Sequence, residues 1–143
     1  MIDENNIERF VEAKADVWSG HDIALTEIEH GRKMSHWIWY IFPQVKGLGF
    51  SPTSEHYGIA GLEEAKAYME NETLRKHLIE VSEALLSLDS SDAGHVMGYP
   101  DDLKLRSSMT LFAEAAPDVE VFEKVLDKFY GGKKDQRTLD ILG

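Results

Sequence analysis

Residues 71–88, NETLRKHLIEVSEALLSL, decide the fold class of this chain. Apolar side chains recur in this stretch every three or four residues and form one helical face: Leu74, Leu78, Val81, Leu85 and Leu88. Asn71 precedes the pattern, where its side chain can accept a hydrogen bond from the first helical turn. The stretch therefore predicts a capped amphipathic helix that needs other elements to cover its apolar face.

The same helical spacing continues on both sides of residues 71–88. It predicts further helices over residues 7–18, 23–28, 36–42, 52–60, 62–70, 101–115, 117–129 and 135–142. Residues 90–100 are expected to be mostly connection. Because no long stretch alternates apolar and polar residues and the connections are short, neighbouring helices should pack as hairpins. We therefore expect an all-α chain, a single compact multi-helix domain of helical hairpins over residues 1–143.

Residues at the predicted helix ends support several of these boundaries. Side-chain oxygens suited to N-capping are expected from Asn5 or Asn6, Ser35, Ser51 and Asp101. Pro43 should end the helix over residues 36–42, because the residue before a proline avoids helical backbone angles. Helix closure is predicted at Gly20, Gly31 and Gly131.

The charge balance restricts the partners of this protein. Its 143 residues include 15 Lys and Arg against 26 Asp and Glu, for a net charge of −11. A field of this sign repels nucleic acid and anionic membranes, so we expect neither as a partner. An anionic small-molecule ligand would need a local basic pocket. The charge does not indicate an oligomeric state.

Composition also bears on location and on metals. The chain has no cysteine, which excludes disulfides, thiolate zinc sites and a cysteine nucleophile, and fits a reducing cytoplasm. No apolar run approaches the ~20 residues needed to cross a bilayer, and residues 1–6 do not resemble a signal peptide. Glu27 and His30 supply one copy of a spacing that di-iron bundles need twice. We expect a cytoplasmic protein without a metal or a cofactor.

Residues 31–44, GRKMSHWIWYIFPQ, form the first candidate binding segment. Aromatic faces stack on flat ligands, and Arg or Lys can neutralise phosphate, so this composition suits a nucleotide-like ligand. The alternative is an aromatic segment of the core. The predicted ligand-binding residues here are Arg32, Lys33, His36, Trp37, Trp39 and Gln44.

Residues 100–112, PDDLKLRSSMTLF, form the second candidate segment. Lys104, Arg106, Ser107 and Ser108 are predicted to bind a ligand, and Asp101 and Asp102 are candidates for catalysis. The alternative is a capped surface helix, since Asp102 and Arg106 have the four-residue spacing of a helical ion pair.

Two shorter segments carry weaker signals. Glu55 stands beside His56, a combination suited to acid–base chemistry, although the helix dipole alone favours an acid in a first turn. Residues 130–138 contain Gly131 and Gly132 followed by basic residues, a pattern that can bind phosphate through backbone N–H groups. Closure of a helix by Gly131 explains the same residues.

Several blocks, in the same order along the chain, resemble a bacterial family known as domain of unknown function 1810. They are Gly31-Arg32-Lys33, His36-Trp37-x-Trp39, Phe42-Pro43-Gln44, Gly47-Leu48-Gly49, Tyr57-Gly58-Ile59, Asp101-Asp102-Leu103-Lys104, Ser107-Ser108-Met109-Thr110-Leu111-Phe112 and Tyr130-Gly131-Gly132. The resemblance covers roughly residues 7–142. It implies an all-helical single domain of about this length and no established activity.

A second, local resemblance suggests a chemistry. Ser54-Glu55-His56-Tyr57 is similar to a block of the NADAR (YbiA-like) proteins, which are N-glycosidases acting on ADP-ribose-type or riboflavin-pathway substrates. In that family the Glu of this block is catalytic. The resemblance implies N-glycosidic hydrolysis with Glu55 as a catalytic residue.

The sequence thus leaves three interpretations. In the first, the protein hydrolyses an N-glycosidic bond, with Trp37 and Trp39 stacking the ring and Glu55 or the Asp101-Asp102 pair acting on the sugar. In the second, the same residues form a non-catalytic module that binds a ligand or a protein. In the third, they are all core or capping residues. The first two require residues 31–44, 51–57 and 100–112 to meet in space.

Overall fold

The computed structural model describes residues 7–15 and 20–143. These residues form ten helices: α1 (Glu8–Lys14), α2 (His21–Glu29), α3 (Ile38–Ile41), α4 (Pro52–Tyr57), α5 (Leu62–Glu70), α6 (Glu72–Leu86), α7 (Ala93–Met97), α8 (Asp101–Ala115), α9 (Val121–Tyr130) and α10 (Gln136–Leu142). Extended pairing within the described ranges is limited to one isolated bridge between Val45 and Ile59. The predicted all-α fold is confirmed.

Helix α6 forms as the sequence pattern predicts. The Asn71 side chain accepts a hydrogen bond from the Leu74 N–H at 3.0 Å and caps the helix. The apolar face from Leu74 to Leu85 is buried, and α6 packs against α2, α5 and α9. Leu88 lies past the helix end and is partly buried against the same core. Burial of this apolar face therefore packs α6 against helices from both halves of the chain.

Helix α8 lies at the centre of the fold. It packs against α5, α7, α9 and α10, and nine of its residues are buried. These include three hydroxyl residues, Ser107, Ser108 and Thr110. The interpretation of this segment as a solvated surface helix is therefore wrong. Buried hydroxyl groups need partners, and two of these three reach residues outside α8.

Some predicted helix ends are displaced. The aromatic helix expected over residues 36–42 is a single turn, α3, and the Ser35 hydroxyl donates to Glu27 instead of capping it. Asp101 is the first residue of α8 and follows the N-cap Pro100. Helix α7 forms within residues 90–100, which were expected to be connection, because Asp92 caps it by accepting from the His95 N–H.

Other predicted ends agree with the structure. Ser51 caps α4 by accepting from the Ser54 N–H, and Gly131 closes α9 in the left-handed conformation that glycine adopts without steric cost. Gly20, by contrast, was predicted to close the first helix and is instead the N-cap of α2. The predicted caps Asn5 and Asn6, and the end of the first predicted helix, lie outside the described residues.

A buried group of basic residues lies between α1, α2, α5 and α6. The Lys14 ammonium donates to the Tyr68 hydroxyl at 2.5 Å, and the rings of His21 and His77 stack at 3.7 Å. Burial lowers the pKa of Lys14 to about 7. Burial, followed by the nearby His21 and Lys14, lowers the pKa of His77 to about 4. Both residues are therefore held in their neutral forms at mildly basic pH.

We predict that the stability of this protein rises with pH because of this group. Between pH 7 and 10.5 the unfolded chain protonates Lys14 and the folded protein does not, so stability increases as pH rises through this window. His77 acts in the same direction between pH 4 and 6.5. One such proton changes the free energy of unfolding by at most about 1.4 kcal/mol per pH unit. Urea unfolding at several pH values measures the slope.

Lys14→Met should flatten the upper part of this profile, since it removes the group that titrates there. The matched control is Lys124→Met, because the Lys124 side chain is 61% exposed. If the slope of unfolding free energy against pH above pH 7 is unchanged in Lys14→Met, Lys14 is charged in the folded protein.

Candidate functional site

A cavity of about 320 Å³ lies where several distant segments meet. Its walls come from α3, the loop before α4, α4 itself, α8 and the start of α10. Their residues include Trp39, Gln44, Leu48, Gly49, Ser54, Tyr57, Pro100, Leu103, Lys104, Arg106, Ser107, Asp135 and Arg137. Segments 31–44, 51–57 and 100–112 thus converge. Residues 130–138, for which helix closure was the alternative interpretation, contribute Asp135 and Arg137 as a fourth wall.

Glu27 positions the segment that leads to Trp39. Its Oε1 accepts from the Met34 N–H, the Ser35 N–H and the indole N–H of Trp37, at 2.7 to 2.9 Å. Burial alone raises the pKa of Glu27, but the hydrogen bonds from Ser35, Met34 and Trp37 outweigh it and lower the pKa. Trp37 is fully buried, whereas Trp39 lines the cavity. The two rings diverge because Trp37 is the N-cap of α3 and Trp39 lies two residues further on, a helical rotation of about 200°.

A lysine and a tryptophan form one side of the cavity. The Lys104 ammonium lies 4.2 Å from the centre of the Trp39 ring. It also pairs with Asp101 Oδ1 at 3.1 Å, while Asp101 Oδ2 pairs with Lys33 at 2.8 Å. Asp101 is thus held between two lysines, and it keeps Lys104 beside the indole. The cavity therefore offers a ligand the flat Trp39 ring and the Lys104 cation side by side.

Asp135 forms the opposite side and caps α10. Its Oδ2 accepts from the Thr138 N–H at 3.2 Å, the Thr138 hydroxyl at 2.6 Å and the Ser107 hydroxyl at 3.0 Å. Its own N–H donates to the Thr110 hydroxyl at 2.9 Å. These contacts explain why α8 buries hydroxyl groups. They fix the start of α10 against the cavity.

The cavity carries an excess of positive charge. Lys104, Arg106 and Arg137 line it, and Asp135 is the carboxylate residue among its lining residues. Arg106 Nη2 lies 3.8 Å from Asp135 Oδ1, and its Nε is buried without a hydrogen-bond partner in the described part of the chain. The Arg137 guanidinium donates to the Leu48 carbonyl at 3.1 Å. The cations are thus spread from Trp39 to the Leu48 loop.

Five of the predicted ligand-binding residues lie elsewhere. Arg32 and His36 are exposed and outside the cavity, and Trp37 belongs to the core. Lys33 pairs with Asp101. Ser108 is fully buried, and its hydroxyl has no partner among the described residues. The other five, which do line the cavity, are Trp39, Gln44, Lys104, Arg106 and Ser107.

The three candidate catalytic residues do not line the cavity. Glu55 is exposed on α4, and both oxygens of Asp101 are paired with lysines. No ion pair joins Asp102 to Arg106 in residues 7–15 and 20–143, because Arg106 turns towards Asp135. The Tyr130 hydroxyl donates to the Asp102 carbonyl instead, and burial, followed by the Asp102 charge, raises the pKa of Tyr130.

Ten of the lining residues are not among the residues predicted from the sequence, and they include Leu48, Tyr57, Asp135 and Arg137. Asp135 carried a usable signal, because it stands at the start of the predicted helix over residues 135–142 and Asp is a preferred N-cap. Nothing in the spacing indicated that its carboxylate would meet α8. For Leu48 and Tyr57, the signal was their presence in the blocks that resemble the family.

Within residues 7–15 and 20–143, no group of three or more His, Asp or Glu side chains is placed to hold a metal. No helix in the same ranges combines the length and apolar character that a bilayer crossing needs.

Comparisons with known proteins agree with this fold. A model of the family described as "Protein of unknown function (DUF1810)" matches residues 4–142, so the chain belongs to that family. The crystal structure of the conserved hypothetical protein Rv1873 from Mycobacterium tuberculosis is similar, with 42% sequence identity, a TM-score of 0.92 and 98% of each chain covered. No curated protein matches the chain significantly.

We predict that Asp135 contributes more to stability than an ordinary helix cap. Asp135→Ala should lower the free energy of unfolding by about 2–4 kcal/mol, because it removes a cap and leaves the buried Thr138 hydroxyl without its acceptor. Asn71→Ala is the matched control and should cost about 1 kcal/mol, since it removes a cap alone. Equal losses in urea unfolding would mean that the hydroxyl contacts to Asp135 add nothing.

Proposed function

We propose that this member of a family of unknown function binds, in the cavity, an anionic small molecule with a flat ring, of the nucleotide or ADP-ribose class. The observation that carries the proposal is the local charge. Three cations, Lys104, Arg106 and Arg137, face one carboxylate, Asp135, in a chain whose net charge is −11. A basic cavity in an acidic protein concentrates anionic ligands and disfavours cationic ones.

The ring specificity is proposed from the aromatic lining. Trp39 offers an indole beside the Lys104 ammonium, and Tyr57 lines the same cavity. Gln44 adds an amide that can both donate to and accept from the edge of a base. Pockets of this type combine an apolar lining with a few polar groups that fix orientation. A phosphorylated nucleoside satisfies all of these groups together.

The acidic surface favours a free small molecule over a long polyanion. Each phosphate of a nucleic acid outside the cavity would meet a chain with 26 acidic and 15 basic residues. A mononucleotide places its charge inside the cavity and so avoids most of this repulsion.

Calorimetric titration with ADP tests the proposal. Lys104→Gln and Arg137→Gln should each weaken ADP binding roughly tenfold or more, as expected for loss of a hydrogen bond to a charged group. Lys124→Gln is the matched control and should leave the affinity unchanged, since Lys124 lies outside the cavity. Absence of heat with ADP, ADP-ribose and flavin mononucleotide at millimolar concentration would refute the proposal.

We also propose, more narrowly, that the protein hydrolyses an N-glycosidic bond in such a ligand. Asp135 is the carboxylate among the residues that line the cavity, whereas Glu55 is exposed outside it. A carboxylate beside the sugar stabilises the oxocarbenium-like transition state of such a reaction. Because Oδ2 of Asp135 already accepts three hydrogen bonds, Oδ1 is the oxygen that would face the sugar.

Chromatographic detection of adenine released from ADP-ribose, or of nicotinamide released from NAD, tests this step. We expect Asp135→Asn to abolish release while keeping the N-cap, because an amide cannot balance positive charge on the sugar. Glu55→Gln should leave the rate unchanged. The opposite result would assign the chemistry to Glu55. Binding without any product would identify a non-catalytic module.

A further inference from the structure

The cavity is too small for an extended ligand. Its volume of about 320 Å³ lies at the lower end of the range for small-molecule pockets, which is ~300 to ~1,000 Å³. One ring system with an adjoining sugar or phosphate fills such a space. Anything larger must continue outside, past the residues at the mouth.

Two large exposed aromatic residues are sequence neighbours of residues that line the cavity. Phe50 is 84% exposed and follows Gly49, which lines the cavity, while Tyr99 is 82% exposed and precedes Pro100, which lines it from α8. Leu103 lines the cavity and is itself 46% exposed. Isolated exposed apolar residues are ordinary, but two nearly bare aromatic rings, each one residue from the lining, offer faces on which a flat group can stack.

The positive charge leads from the interior towards these rings. Lys104 lies against Trp39, and Arg137 binds the carbonyl of Leu48, two residues before Phe50. Two separated cations suit two phosphates in a row better than one. One cation thus lies beside the Trp39 ring, and another lies at the loop that leads to Phe50.

We infer that the ligand of this cavity is a dinucleotide, in which two nucleosides are joined through a diphosphate. This inference rests on the proposed function and names its ligand class. One base lies in the cavity beside Trp39, and the diphosphate meets Lys104 and Arg137. The second base stacks outside on Phe50 and Tyr99. The net charge of −11 disfavours a longer polyanion in the same position.

Calorimetric titration with ADP and with diadenosine diphosphate tests the inference. The dinucleotide should bind at least about tenfold more tightly than ADP, which corresponds to about 1.4 kcal/mol. Phe50→Ala combined with Tyr99→Ala should remove most of this advantage and leave ADP binding unchanged. Met34→Ala is the matched control, because Met34 is 72% exposed and does not line the cavity.

The outcomes separate this inference from the proposed function. Equal affinities for ADP and the dinucleotide would overturn the inference and leave the proposed function standing. A dinucleotide advantage that persists in the double variant would also overturn it, since the second base would lie elsewhere. Tighter binding of a single-stranded oligonucleotide than of the dinucleotide would also overturn the inference, since the ligand would then be a nucleic acid. Failure of both ADP and the dinucleotide to bind would reject the proposed function itself.

Discussion

The site depends on one carboxylate, that of Asp135, which caps α10 and receives the Ser107 hydroxyl of α8. Together with the bond from the Asp135 N–H to Thr110, this contact fixes the start of α10 against the central helix. Arg106 lies beside Asp135 and Arg137 is carried by α10, so the same carboxylate sets where two of the three cations lie. Helix capping, normally a local effect, here assembles a site from distant parts of the chain.

A basic cavity within an acidic protein also requires that nearby carboxylates be neutralised. Asp101 pairs with both Lys33 and Lys104, so one carboxylate is shared by two lysines and a positive excess remains. The Glu27 carboxylate instead accepts hydrogen bonds from the segment before α3. The positive excess thus arises from where the acidic groups are engaged, not from the composition of the chain.

The sequence predicted the helices well where apolar spacing was regular, as in α6, and poorly where aromatic residues were dense. Trp37 and Trp39 looked equivalent, because their different surroundings follow from a single turn of helix that periodicity could not locate. The three candidate segments meet at one cavity, as both binding interpretations required. Asp135 was not among the predicted site residues, because its role depends on the packing of α10 against α8, which no local pattern encodes.

Nitrogen–proton spectra recorded during titration with ADP test the central claim most directly, because Trp37 and Trp39 provide an internal comparison. The indole N–H of Trp39 adjoins the cavity, whereas that of Trp37 is bonded to Glu27 in the core. We expect the Trp39 indole signal and the backbone signals of Leu48 and Arg137 to shift when ADP binds in the cavity. The Trp37 indole signal should not shift. Shifts confined to other parts of the surface, or no shifts at all, would contradict this claim.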